Sequence, residues 1–182
     1  MNELQLAVFK VIISIFSIKD LNKNFKKNGP WKGSLKIEHG IIRYGILNYI
    51  AKFSLASDEY FVTKKSKLHL LNNNYLKNGS LRRRLKGRKS GFTFEHPVPA
   101  NVIADLLYKN KNNVEKMKEI LLKTDKVTIL THDENNLLRV KGFVSNMPKN
   151  WNISSGNIFE RYILSGIETP KEKIKVTGVI TR

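Results

Sequence analysis

Apolar residues recur at helical spacing along most of this chain, and at strand spacing in only a few short stretches. Leu4 to Ile18 is almost wholly apolar, with Lys10, Ser14 and Ser17 as one narrow polar stripe, which predicts a buried helix. "KNFKKNGPWKGS" (Lys23 to Ser34) carries the turn signals Asn28-Gly29-Pro30 and Gly33 and reads as a connection. Ile37, Ile41, Tyr44, Leu47 and Ile50 then predict a second helix, although Gly40 and Gly45 each cost about 1 kcal/mol in a helix interior. Glu59 to Leu71 fits a strand pair and a helix equally, and the Asn72-Asn73-Asn74 run and Asn78-Gly79 mark loops beyond it.

"FTFEH" (Phe92 to His96) favours a short strand that Pro97 ends, and Val102, Ile103, Leu106 and Leu107 give the next helix its apolar face. A further helix is predicted from Asn113 to Lys123, with Val114, Met117, Ile120 and Leu121 inward. "VTILT" follows as a β-branched strand. Thr131 and Glu134 have the spacing of a capping box and place Asn135 to Val140 on a short helix. After a loop around Trp151, "IFERYILSGI" predicts a helix and "KIKVTGVIT" a closing strand. The pattern predicts a helix-rich α+β fold with a small mixed or antiparallel sheet in a single domain. Residues 1–57 form its helical lobe, and 58–182 carry the basic segment and a catalytic core.

Charge adds a partner to this picture. The 182 residues carry 33 Lys and Arg against 15 Asp and Glu, a net +18, and on one small domain such an excess implies a polyanion. The excess is clustered. No acid occurs from Tyr60 to Phe94, where Lys64, Lys65, Lys67, Lys77, Arg82, Arg83, Arg84, Lys86, Arg88 and Lys89 all fall. Nucleic acid is the expected partner, DNA before RNA, and the oligomeric state is left open with a homodimer as one option. The absence of cysteine excludes disulfides, thiolate zinc sites and cysteine nucleophiles, and suits a cytoplasmic location. Lys10 and Glu3 argue against a signal or membrane segment at Leu4 to Ile18, and no membrane partner is expected.

Phosphodiester hydrolysis is the chemistry that such a charge invites. Many metal-dependent nucleases place lysine two residues after a ligating acid, and none of the fifteen acids here has that neighbour. The other route uses a neutral histidine as general base beside one metal ion. His96 meets it on sequence: it ends a predicted strand directly after the basic run, Glu95 stands beside it, and Pro97 and Pro99 stiffen the turn.

"EHPVP" resembles the first element of His-Me finger nucleases of the HNH type, and "THDENNLL" resembles their later element. That resemblance implies Glu95 as metal ligand and His96 as general base. It further implies Asn135 or Asn136 as the amide that orients the base, His132 or Asp133 as a second ligand, and Mg²⁺ as the cofactor. His132 thereby joins Glu95, His96 and Asn135 as a catalytic candidate.

Other residues have two readings. Arg161-Tyr162 and Arg43-Tyr44 suit phosphate binding beside base stacking, or cations lying along core tyrosines. Trp31 and Trp151 are stacking platforms or lids on the core, His69 reads as a packing residue, and Glu38-His39 is a second acid-His pair. Three functions follow: a restriction- or phage-related DNA endonuclease, a nucleic-acid-binding protein without activity, and a metal-independent enzyme acting on nucleic acid through acid, histidine, tyrosine and arginine.

Overall fold

The computed structural model describes residues 1–18, 37–73, 75, 85, 90–175 and 180–181, with side chains at 37–43 and 180–181 left aside. The chain divides into two compact units, Met1–Ala56 with Ala100–Lys123, and Ser57–Pro99 with Thr124–Arg182.

The first unit is helical. Helix α1 (Glu3–Phe16) starts in a reciprocal cap, in which Asn2 Oδ1 accepts from the Gln5 amide at 2.9 Å and Gln5 Oε1 accepts from the Asn2 amide at 3.1 Å. Asn2 Nδ2 also donates to the Ala56 carbonyl at 2.7 Å, tying this start to the residue that follows helix α2 (Ile37–Leu55). Only one stripe of α1 is buried, through Val8, Phe9, Ile12 and Phe16, whereas Leu4, Leu6 and Val11 are exposed; the nearly all-round burial expected from its composition is not realised. On α2 the inward face is Ile46, Ile50 and Phe53, so Tyr44 points to solvent despite fitting the apolar spacing. Helix α4 (Ala100–Lys109) buries Ile103, Ala104 and Leu107 and packs on α2. Helix α5 (Val114–Thr124) buries Met117, Ile120 and Leu121 but exposes Val114. Among the described residues no helix is long and apolar enough to cross a membrane.

The second unit is built on a five-stranded mixed sheet of order β2-β3-β1-β4-β5. Strand β1 (Glu59–Val62) runs directly into helix α3 (Lys64–Asn72), which settles the stretch that the pattern leaves open. Strand β2 (Phe92–Glu95) forms the edge and pairs antiparallel with β3 (Thr128–Thr131), and β3 lies parallel to β1. Helix α6 (His132–Val140) follows β3, and the five-residue helix α7 (Glu160–Leu164) is all that the long "IFERYILSGI" pattern forms. The predicted closing strand is two, β4 (Glu172–Lys175) and β5 (Ile180–Thr181), paired antiparallel. The fold is α+β, rich in helix, with a small mixed sheet.

Alternation along the strands sorts their side chains. Phe61 and Leu130 meet Leu138 of α6, Phe159, Tyr162 and Ile167, and each such side chain fully buried contributes roughly 1.5–3 kcal/mol. On the other face Tyr60 packs edge-on against Phe94, and Phe92 against His69 and Tyr75. The register that sets Thr93 opposite Leu130 sets Glu95 opposite Thr128, so Glu95 lies on the face that carries Leu130 and Tyr162.

Candidate functional site

Glu95, the last residue of β2, and His96, the next, meet Arg161 of α7. The Arg161 side chain has no solvent-exposed surface. Its Nε donates to the Pro97 carbonyl at 2.8 Å, Nη1 to the carbonyls of Phe143 at 2.5 Å and Val144 at 3.5 Å, and Nη2 to Glu95 Oε1 and the His96 carbonyl. Local chain chemistry supplies those acceptors. Gly142 at φ +74° closes α6 with Gly142 N–H bonded to Arg139 O (3.1 Å) and Phe143 N–H to Leu138 O (2.8 Å), the turn that precedes the Phe143 and Val144 carbonyls. Gly166 at φ +76° closes α7 in the same way, with Ile167 N–H on Tyr162 O at 2.9 Å. Pro97 ends the strand, leaving its carbonyl free to accept.

Burial dominates the electrostatics. It pushes the Glu95 carboxyl up from its ordinary value, against the Arg161 charge and hydrogen bond that pull it down. Burial, reinforced by the Arg161 charge, lowers the His96 imidazole to about 4, so it is neutral at neutral pH. Burial also pushes the Tyr162 phenol far up, the Glu95 charge adding to the effect, and Arg161 and Thr128 opposing it. Among the described residues His96 Nε2, Tyr162 Oη and Thr128 Oγ1 are buried without a hydrogen-bond partner of good geometry. Buried polar atoms left in this way are uncommon in folded proteins.

The other predicted site residues lie elsewhere. His132, Asp133 and Asn135 line a shallow concavity of about 680 Å³ beside α6, together with Thr93, Asn136 and Arg139. His132 Nε2 lies 3.2 Å from the Phe92 carbonyl, and exposed Asp133 pairs with Lys65 at 3.2 Å. Lys64 is exposed, and Lys67 pairs with Glu172. Arg82, Arg83, Arg84, Lys86, Arg88 and Lys89 lie outside the described residues, as do Lys77, Trp31 and the side chains of Glu38, His39 and Arg43. Trp151 is held within its own loop by a bond from Nε1 to the Asn157 carbonyl at 2.8 Å, above Gly156, where a Cβ would stand 2.7 Å from the indole.

Arg161, predicted to bind phosphate, is instead an internal tie, because all of its donors already face carbonyls and a carboxylate. Part of the signal for this was present: an arginine flanked by Ile158, Phe159, Tyr162 and Ile163 follows a core pattern. A divalent cation at Glu95 does not fit these residues, since the carboxylate is closed on a guanidinium that would repel the ion. Among the described residues no three His, Asp or Glu side chains come together as a metal-binding group. The chain matches no protein-family model, no curated protein and no solved structure.

Proposed function

We propose that this protein hydrolyses phosphodiester bonds of nucleic acid, DNA before RNA, with His96 as general base and no resident metal in the step. The observation that carries the reading is the state of His96: a half-buried imidazole held neutral, with Nε2 covered and taken by no other described residue. A general base must be unprotonated at working pH, which His96 is, and must present a nitrogen lone pair, which at Nε2 requires the tautomer protonated on Nδ1. The net charge of +18 supplies the attraction for the polyanion.

In the proposed step a water oxygen attacks phosphorus while its proton passes to His96 Nε2. The bond from phosphorus to the leaving ester oxygen breaks, and that oxygen takes a proton from solvent. Arg161 acts as a positioning residue. It fixes Glu95 and the His96 and Pro97 carbonyls, and its charge keeps the imidazole neutral. Because Nε2 is covered in the free protein, binding of the nucleic acid must uncover it.

Supercoiled DNA and total RNA incubated with the protein in Mg²⁺, in Mn²⁺ and in EDTA provide the test. DNA cleavage is expected in all three, and His96→Ala of equal circular dichroism should lose about 10²-fold or more. Cleavage by His96→Ala at the parent rate removes His96 from the reaction, and loss in EDTA alone removes the metal-free step. Salt-sensitive binding without product assigns the Glu95–His96–Arg161 cluster to the fold and makes the protein a nucleic-acid binder.

A further inference from the structure

The concavity beside α6 is not explained by a general base at His96. We propose that it is a subsite for one nucleobase of the strand on which the protein acts, an inference that rests on nucleic acid being the substrate. Its volume of about 680 Å³ lies within the range of small-ligand sites, roughly 300–1,000 Å³.

The lining distinguishes a base from a phosphate. A phosphate offers only acceptors, so a site built for it presents donors. Here the Asn135 and Asn136 amides each present a donor and an acceptor, Asp133, whose Oδ2 is paired with Lys65, presents acceptor oxygens, and Arg139 presents donors. The Phe92 carbonyl can only accept, so His132 Nε2 donates to it. A base edge carries donors and acceptors side by side, and an Asn amide matches such an edge with two bonds. Among the described residues the Asn135, Asn136 and Arg139 side chains make no hydrogen bond to the protein, so a ligand displaces none.

The position suits the proposed chemistry. Thr93, in the lining, stands two residues before Glu95 on the same face of β2, roughly 7 Å along the strand. A base seated there belongs to a nucleotide close to the one at His96, and its edge is reachable in a single strand or after extrusion from a duplex.

The test measures fluorescence anisotropy of a labelled single-stranded oligonucleotide and of an abasic strand of equal length, with full-length His96→Ala protein so that neither is cut. The abasic strand keeps every phosphate and removes every base. Base-bearing strand is expected to bind more tightly, and adding Asn135→Ala and Asn136→Ala should reduce that preference about tenfold while leaving abasic affinity unchanged. An unchanged preference, equal weakening on both strands, or no preference in the parent each overturns the subsite. If the double substitution does not fold, Asn136→Ala alone, at an exposed position, decides by the same ratio. Cleavage by the unsubstituted chain is measured separately. Its absence with the base preference intact would overturn the hydrolase and leave the subsite standing, and its presence with no preference would do the reverse.

Discussion

Arg161 has five N–H donors, and Pro97, Phe143, Val144, Glu95 and His96 face them. Lysine carries the same charge but no planar fork, so Arg161→Lys leaves several of these acceptors buried and unpaired. We expect it to cost about 3–5 kcal/mol, read as a lower urea midpoint with an unchanged slope. The effect of this residue on His96 is separable from stability. With the guanidinium in place His96 titrates near 4. In Arg161→Met the burial remains but the charge is gone, so the His96 ring resonance should titrate higher, still below 6.5. The linkage signs of the neighbours oppose. His96, lowered in the folded state, gives stability that is present above 6.5 and lost as pH falls toward 4. Glu95, raised, gives stability that is present below 4.5 and lost as pH rises through its folded value. Direct titration of the ring is therefore the clean measurement. In catalysis the same lowering predicts a kcat/KM with no acid limb between about pH 5 and 8, and a limb near the ordinary histidine value would exclude His96 as the base. Glu95-His96 stood out in the sequence because its neighbours had structural duties and it had none. The duty of Arg161 was legible only in part: its apolar neighbours fit a core position, but an Arg-Tyr pair by itself reads alike on a phosphate-binding surface and in a core.

Strands β1 and β3 run parallel, and Thr63, directly after β1, and Thr131, the last residue of β3, each cap the helix that follows. Buried Glu134 joins the two ends: its Oε2 accepts from Thr63 Oγ1 (3.0 Å), Ser66 Oγ (3.1 Å), Thr131 Oγ1 (3.1 Å) and the Thr131 amide (2.9 Å). The carboxylate thus lies near the positive ends of α3 and α6 together. Glu134→Ala leaves the threonine and serine groups without this acceptor and should cost about 1–3 kcal/mol, with Glu134→Gln nearer the parent in thermal melts. The glycine turns make a matched test of conformation alone. Nothing lies within 4 Å of a Cβ built on Gly142 or Gly166, so alanine at either meets no clash and should cost about 1–2 kcal/mol from its positive φ. The Thr131–Glu134 box was legible as a local four-residue pattern. The Thr63 cap, whose Oγ1 accepts from the Ser66 amide, was not, because a four-residue strand passing straight into a helix mixes two periods within one short window. The closing stretch reads as one strand for a similar reason: β-favouring residues run through it, and antiparallel pairing of its ends is decided by tertiary contact.

Charge is the property that belongs to the whole chain, and its effect is read in salt. Lys65 and Lys67 already have carboxylate partners, and an exposed pair such as Lys65–Asp133 holds its members weakly enough for a phosphate to compete. The densest run, Arg82, Arg83, Arg84, Lys86, Arg88 and Lys89, has no acid within it. If these six side chains each neutralise one phosphate of duplex DNA, log K falls with log salt at a slope of about −5, or about 10³-fold weaker binding between 50 and 200 mM. Replacing all six with glutamine should remove most of that slope. A slope unchanged by the replacement would move the electrostatic contact to other lysines of the chain. The base subsite gives the opposite signature, since hydrogen bonds between neutral amides and a base edge release no counterions. Asn135→Ala with Asn136→Ala should therefore lower affinity by the same factor at both salt concentrations, whereas the glutamine replacements act most strongly at the lower one. Salt titration of the two sets of variants separates where the nucleic acid is held from where it is read.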